Sequence, residues 1–195
     1  MAISLSKGST ISLTKEAGPI RLTNILVGLG WTTTDTPGVE FDLDASALVL
    51  GQDGRVLSQG DFVFYGQEQD SSGAVRTLGD NLVGGDGQGD DEQITIDLDK
   101  LPQAAQRVLI AVSIYEGEKR GQNFGLVGSA FIRVVNAANG QELARFDLTS
   151  GASSETAFAF GELYRDGAEW RFGAVGDAYQ GGLGGLVSTF GVNVG

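Results

Sequence analysis

Cysteine and histidine are both absent from this chain of 195 residues. Their absence excludes disulfides, thiol catalysis, Cys/His zinc sites, histidine-based triads and cysteine-ligated iron–sulfur clusters. A chain without disulfides also fits a reducing compartment. The two absences therefore remove most redox and zinc chemistry from consideration.

Positive charge is scarce, with 13 Lys and Arg against 25 Asp and Glu, a formal net charge of −12 and a sequence pI of about 4.3. Such a protein repels a phosphate backbone, so we expect no nucleic-acid partner. The excess of acidic over basic residues is concentrated in one segment. No Lys or Arg stands between Thr77 and Asp99, and the seven acidic residues there contribute −7 of the −12.

Long apolar runs are missing as well. The run "VLIAV" at 108–112 is far too short to cross a bilayer. The N-terminal "MAISLSKGSTISLTK" has neither a long apolar core nor a cleavage-site pattern. We therefore expect a cytoplasmic protein with no transmembrane segment.

Proline is rare, at 3 residues, whereas glycine is abundant, at 31. Together with many short apolar runs, this composition indicates numerous tight turns and few long helices. Alternation of period two dominates: in 41–50, Phe41, Leu43, Ala45, Ala47 and Val49 fall on one face and Asp42, Asp44 and Ser46 on the other. The segment 108–115 is apolar on both faces, as in a doubly covered strand.

Turn signals separate these runs, and Asn139-Gly140 and Asp166-Gly167 predict type I′ hairpins. Helical signals are confined to 99–107, expected as a short helix or a single turn of helix, and to a glycine-rich segment near the C-terminus. The pattern predicts an all-β fold, an antiparallel β-sandwich with one or two short helices. Without a linker-like stretch, residues 1–195 are expected to form a single domain.

The stretch "GDNLVGGDGQGDDE" at 79–92 concentrates five carboxylates among glycines. A phosphate loop is disfavoured because the Walker Lys is missing and the loop is negative. A solvated acidic loop and a hard-cation site stay open, since Ca²⁺ takes about six to eight oxygen ligands. An EF-hand is excluded because counting from Asp86 places Asp91 at the glycine position. The oxygen donors offered are Asp80, Asn81, Asp86, Asp90, Asp91 and Glu92.

Residues from elsewhere in the chain must complete any such site. Asp42 and Asp44 lie on one face of a strand, about 7 Å apart. Their mutual repulsion is tolerable on a wet surface but unfavourable in a cleft without a cation. Glu116 directly follows the apolar strand that ends at Tyr115. An ordinary exposed polar position stays open as the interpretation for all three.

Several segments in order along almost the whole chain resemble the TerD family of tellurium-resistance and general stress proteins. They are "LSKGSTISLTK", "VGLGW", "FDLDASALVL", "DFVFYGQ", "GDNLVGGDGQGDDE", "VSIYEGEKRGQNFG", "AFIRVVN", "GELYRDGAEWRFGAVG" and "GLVSTFGVNV". The pair "FDLDAS" and "GDN…GDDE" is the most specific. Thr32, where the family has Asp, and Gly66-Gln67, where it has Asn-Asn, depart from the pattern.

The resemblance implies a cytoplasmic calcium-binding β-sandwich without established enzymatic activity. It also implies a two-ion calcium site on the acidic loop, formed by Asp80, Asn81, Asp86, Asp90, Asp91 and Glu92, with Asp42, Asp44 and Glu116 as further ligands. We expect a calcium-dependent interaction module whose partner is a protein of a stress-response complex or a membrane surface.

Two alternatives stay open. The first is a metal-dependent hydrolase or phosphoryl-processing enzyme that uses Asp42 with Asp44, or the cluster Asp90-Asp91-Glu92. The second is a calcium-dependent sugar-binding sandwich, which needs an aromatic platform beside the ion. The aromatic residues Trp31, Tyr65 and Trp170 are expected in the core instead.

Overall fold

The short apolar runs form twelve strands in the computed structural model, which describes residues 2–33, 41–79, 89–148 and 154–194. The strands are β1 (Ile3–Leu5), β2 (Thr10–Ser12), β3 (Asn24–Thr33), β4 (Leu43–Leu50), β5 (Phe62–Val63), β6 (Val75–Thr77), β7 (Glu92–Asp97), β8 (Arg107–Ile114), β9 (Val127–Asn136), β10 (Gln141–Leu148), β11 (Ala157–Asp166) and β12 (Glu169–Tyr179).

Two six-stranded sheets face each other. The first has the order β1-β10-β9-β3-β7-β6 and the second β2-β12-β11-β8-β4-β5. All pairings between the described strands are antiparallel except β1 with β10, which is parallel. The predicted all-β sandwich is therefore confirmed, whereas a single domain over 1–195 stays a prediction.

The main core lies between the sheets and follows the predicted alternation. Leu43, Ala45, Ala47 and Val49 of β4 point into it, and Leu48 and Leu50 belong to a second apolar cluster on the outer face of the second sheet. Strand β8 is buried on both faces beyond its first residue, as predicted. Asp42 and Asp44 therefore face away from the main core, and both are buried.

Helices are few and short: α1 (Leu13–Glu16), α2 (Gly117–Arg120) and α3 (Gly182–Thr189), with 3₁₀ turns at Gln59–Asp61 and Phe124–Leu126. The predicted C-terminal helix is α3, which covers the second apolar cluster with Leu186 and Val187. Residues 99–106 form turns rather than a helix, with a bond of 2.9 Å from the Ala105 amide to the Pro102 carbonyl, and Arg107 already belongs to β8.

Both predicted hairpins form, but neither has a type I′ turn. The β9–β10 connection spans four residues, and Gly140 has φ +71° while Asn139 has a negative φ. The β11–β12 connection is Gly167-Ala168, with positive φ at Gly167 alone, as in a type II′ turn. A type I′ turn needs positive φ at both central residues, which these loops do not supply.

One end of the sandwich, termed the acidic end, is where β3 and β8 finish and β4 and β7 begin. This topology brings Asp42 and Asp44 close to Glu92, and it places Glu116 two residues beyond the end of β8. No helix in the described ranges has the length and apolar character to cross a membrane.

Candidate functional site at the acidic end

Three consecutive acidic residues, Asp90, Asp91 and Glu92, send their carboxylates in three directions. The Asp90 carboxylate lies on the outer face of the first sheet, where Arg133 donates to it from Nε at 2.6 Å and from Nη2 at 3.0 Å. Gln93 Nε2 donates a third bond at 2.9 Å. Arg133 also reaches Glu142 at 3.2 Å. The hydrogen bond to Asp90 raises the pKa of the Arg133 guanidinium.

Asp91 lies along the end of β3. Its backbone amide donates to the Leu29 carbonyl at 2.8 Å, and its carboxylate accepts a bond of 2.9 Å from the Trp31 amide. The carboxylate therefore satisfies a backbone donor near the end of the strand, a stabilising arrangement for an anion. Trp31 itself is fully buried in the main core.

Glu92 turns inward and connects the two sheets. It opens β7 in the first sheet, and its carboxylate accepts from the amide of Ala45 in the second. Strand β5 pairs only with Ala47 and Leu48 of β4, so it does not cover the Ala45 amide. Glu92 is 6% exposed, so its charge is held in a largely dehydrated position.

A cavity of about 110 Å³ lies where Asp44 and Glu92 meet. It is also lined by Glu68, Tyr65, Thr77 and Gly79, and all the charged side chains among its described lining residues are acidic. Asp44 is 4% exposed. Two buried acidic residues from opposite sheets, together with Glu68, thus line one small space.

A second cavity of about 380 Å³ adjoins the first through Asp44 and Tyr65. Tyr65 is half exposed and packs edge-to-face against Tyr115, with ring centroids 5.9 Å apart. Burial raises the pKa of the Tyr65 hydroxyl, and the charges of Asp44, Tyr115 and Glu116 raise it further. The phenol is therefore neutral at physiological pH and available as a hydrogen-bond donor.

Glu116 lies at the rim of this second cavity in an unusual backbone conformation. Its φ of 49° is the one positive value at a non-glycine residue in the described chain. Its carboxylate accepts a bond of 2.7 Å from Lys119, which lowers the pKa of Glu116. Strained backbone of this kind is concentrated at functional sites.

A larger cavity of about 470 Å³ occupies the opposite end of the sandwich. There Arg165 lies over the Trp170 ring at 4.3 Å and donates to the carbonyls of Ala105 and Leu101. These contacts tie the β11–β12 turn to residues 101–105. The described lining of this cavity contains one carboxylate, Asp99, which is paired with Arg21. Its composition does not suit a cation.

The structure thus brings some of the predicted site residues together and separates others. Asp44 and Glu92 share a cavity, and Asp42 and Glu116 lie nearby, since the Tyr115 amide donates to the Asp42 carbonyl at 2.8 Å. The Asp91 carboxylate is held by the Trp31 amide of the first sheet, while Asp90 points to the outer face of that sheet. Asp80, Asn81 and Asp86 lie outside the described residues. In the described ranges, no three acidic side chains by themselves form a group able to hold a metal ion.

Sequence reasoning overlooked Glu68, Arg133 and the position of Tyr65. Arg133 carried a signal, because a charged residue in the apolar strand "AFIRVVN" requires a partner. The alternating glycines of "VGLGW" are a second signal, since glycine within a strand often marks a close approach of other atoms. Thr32 bonds to Ser129 at 2.8 Å and lines neither cavity of the acidic end.

Comparison with known proteins gives consistent matches over nearly the whole chain. A family model described as the TerD domain matches residues 1–190. The chain is 48% identical over 193 residues to the tellurium resistance protein TerD of Serratia marcescens, covering 99% of each chain. It is 43% identical over 196 residues to general stress protein 16U of Bacillus subtilis (strain 168), covering 100% of each.

A solved structure supports the fold. The crystal structure of a homologue of telluride resistance protein from Streptomyces coelicolor A3(2) matches with a TM-score of 0.65, covering 83% of this chain and 93% of that one. The two sequences are 21% identical, so this likeness concerns the fold alone.

The left-handed backbone at Glu116 generates a prediction about stability. We expect Glu116→Gly to melt roughly 2–4 °C above Lys119→Met in metal-free buffer, because both variants lose the surface ion pair and only the first relieves the strained φ. Thermal denaturation followed by circular dichroism measures the difference. Equal midpoints would mean that the conformation costs nothing in this context.

Proposed function

Because the chain belongs to the TerD family, whose named members include tellurium-resistance and general stress proteins, we propose that it is a calcium-binding stress-response protein. In this proposal it acts in the cytoplasm as a non-enzymatic interaction module, binds two calcium ions, and contacts its partner in a calcium-dependent way. The partner is a protein of a stress-response complex or a membrane surface.

The cavity that Asp44 and Glu92 line together from opposite sheets is the observation that supports this proposal. Two like charges that are buried near each other repel, which is unfavourable unless a cation compensates them. The low exposure of both residues strengthens this repulsion. The lining offers carboxylate oxygens together with the Thr77 hydroxyl and no nitrogen ligand of the His type. Oxygen donors of this kind suit a hard cation such as Ca²⁺.

The oxygen donors among the described residues are of the type that calcium prefers, but they are too few to complete its coordination. Asp44, Glu68 and Glu92 line the cavity as carboxylate residues, Asp42 is two residues from Asp44, and Asp91 directly precedes Glu92. Ca²⁺ takes about six to eight oxygens, so further ligands are required. Asp80, Asn81 and Asp86, which directly precede this segment in sequence, are the proposed source.

The orientation of the acidic residues favours binding over catalysis. A two-metal phosphoryl site needs carboxylates that share a pair of ions about 3.5–4 Å apart. Asp90 instead faces Arg133 on the outer face of the sheet, and the carboxylates of Asp91 and Glu92 accept from backbone amides of different sheets. The cluster Asp90-Asp91-Glu92 therefore does not present a common catalytic surface, and relatives are named as resistance or stress proteins.

Exposed apolar side chains around the site favour an interaction surface. Tyr65, Leu78 and Tyr115 are all exposed and lie in the segments that border the cavities of the acidic end. Two bound Ca²⁺ ions would also reduce the formal charge of −12 to −8. Calcium would thus lower the local negative potential beside an aromatic patch, which favours docking of a partner that the acidic end otherwise repels.

One observation supports a second candidate function. The half-exposed Tyr65, packed against Tyr115 beside Asp44, is an aromatic platform of the kind that a calcium-dependent sugar-binding protein requires. The core location expected for Tyr65 was wrong, and for Trp31 it was right. Glycan binding that needs both calcium and Tyr65 would favour this candidate over a protein or membrane partner.

Calcium should stabilise the folded chain. A site assembled from parts distant in sequence exists only after folding, so calcium at 100 times its dissociation constant adds about 2.7 kcal/mol per site. For a domain of this size the melting temperature should rise by roughly 5–11 °C, and magnesium should do less because it keeps its octahedral water shell. Thermal melts in chelator, calcium and magnesium at matched ionic strength measure this, and equal shifts for the two metals would contradict the proposal.

Substitution at the shared cavity should weaken calcium binding. We expect Asp44→Asn and Glu92→Gln each to lower affinity by about tenfold or more, since each removes a charged ligand. The amide oxygen that Glu92→Gln introduces can still accept from the Ala45 amide, so the contact between sheets is retained. Trp170→Phe leaves the buried Trp31 as the single tryptophan reporter for the titration. Asp166→Asn, in the opposite turn, is the matched control and should leave affinity unchanged.

Calcium should also control partner capture. Immobilised protein is exposed to cell extract and to vesicles containing anionic lipid, with calcium or with chelator. We expect retention of a partner in calcium alone, and its loss with Asp44→Asn under the same calcium concentration. Binding that is identical in chelator would exclude a calcium-dependent module, and binding that persists unchanged with Asp44→Asn at a limiting calcium concentration would exclude Asp44 from the site.

A further inference from the structure

We propose that Asp90 is a positioning residue, whose ion pair with Arg133 fastens the end of the acidic loop to the first sheet so that Asp91 and Glu92 are correctly placed. We term Asp90, Arg133, Gln93 and Gly28 the latch. The proposal rests on the proposed function for its effect on calcium, but its effect on the protein is independent of any metal.

The contacts of Asp90 are those of a buried, fully directed ion pair. Both carboxylate oxygens accept from the guanidinium, at 2.6 and 3.0 Å, and Gln93 adds a third donor at 2.9 Å. The Asp90 side chain is 1% exposed, whereas the Arg133 side chain is 31% exposed. Bidentate pairs of this geometry fix orientation as well as adding energy.

The outer face of the first sheet leaves space for the Asp90 carboxylate. Gly28 of β3 is in register with Gln93 on one side and with Arg133 on the other, so the three form one row on the outer face. A Cβ at Gly28 would overlap the Asp90 carboxylate, and one at Gly30 would crowd the Gly89 carbonyl and the Phe131 ring. The glycines therefore allow residues 89–90 to lie directly against the sheet.

The latch determines where the next two residues point. With Asp90 fixed on the outer face, the Asp91 amide reaches the Leu29 carbonyl and the Asp91 carboxylate reaches the Trp31 amide. Glu92 then enters β7 with its side chain turned inward to the Ala45 amide. Release of Asp90 would loosen the contacts of Asp91 first, because they immediately follow it.

The same contacts make Asp90 a poor cation ligand. A guanidinium within 3.0 Å repels a divalent cation, and three N–H donors already occupy the carboxylate. Arg133 also bonds to Glu142 at 3.2 Å, which holds it on the outer face of the sheet. If Asp90 is a calcium ligand, the loss of Arg133 should not lower calcium affinity. If Asp90 belongs to the latch, the same loss should lower it, and this difference provides the test.

The calcium test compares Arg133→Gln, Asp90→Asn and the double variant by titration. The latch predicts that each single substitution lowers affinity about tenfold and that the double is no worse than either, since both remove one interaction. A ligand role predicts that Arg133→Gln leaves affinity unchanged or raises it, because it frees a carboxylate and removes a positive charge. Arg145→Gln, which removes a positive charge from the neighbouring strand, is the matched control.

A second measurement works without metal. Hydrogen exchange of the Asp91 and Trp31 amides in chelator should be about tenfold faster in Arg133→Gln than in the wild type, with exchange in β8 and β11 unchanged. If Arg133→Gln loosens the whole fold, the milder variant Gln93→Ala replaces it in this measurement. Faster exchange confined to the Asp91 and Trp31 amides would support the latch. Exchange of these two amides equal to that in Arg145→Gln would overturn the latch. A wild type that binds no calcium refutes the proposed function, and the exchange measurement still decides on the latch.

Discussion

Like charges gathered at one end of a sandwich need separate compensation, and this requirement shapes the acidic end. Asp90 receives a guanidinium, Asp91 the Trp31 amide and Glu92 the Ala45 amide. Three neighbouring carboxylates are thereby stabilised by three different groups, each at a distance where charge-assisted hydrogen bonds are strong. The chain gains a dense set of anions without placing them all in mutual contact.

Strand ends and glycine positions make this distribution possible. The amides used by Asp91 and Glu92 belong to strands β3 and β4 at the point where those strands reach the acidic end. Gly28 and Gly30 leave the outer face of β3 open, so the chain can cross it before turning into β7. The acidic segment and the strand pattern are therefore parts of one arrangement, although they are distant in sequence.

Alternation in the sequence was enough to predict the sandwich, because each strand has one face in the main core. It also placed Asp42 and Asp44 on the opposite face correctly. It could not predict the directions of Asp90, Asp91 and Glu92, since those depend on the close approach of Gly89 and Asp90 to the glycines of β3 and on which amides β5 leaves uncovered. The turn types of both hairpins also differed from the prediction, because alternation carries no information on the φ angles of the loop residues.

The position of Glu92 has a mechanical consequence for the proposed function. It is anchored in the first sheet, accepts from the second, and shares its cavity with Asp44, whose strand continues into the second apolar cluster below α3. Asp44 and Tyr65 also line the neighbouring cavity that reaches Glu116 and Leu183 of α3. A cation bound by both Asp44 and Glu92, as proposed, would therefore act on both sheets at once. Asp44 lines the same cavities as Tyr65, so a shift of Asp44 would change the surroundings of the exposed Tyr65–Tyr115 pair. The shared lining of the two cavities therefore connects the proposed ion site with the surface proposed for the partner.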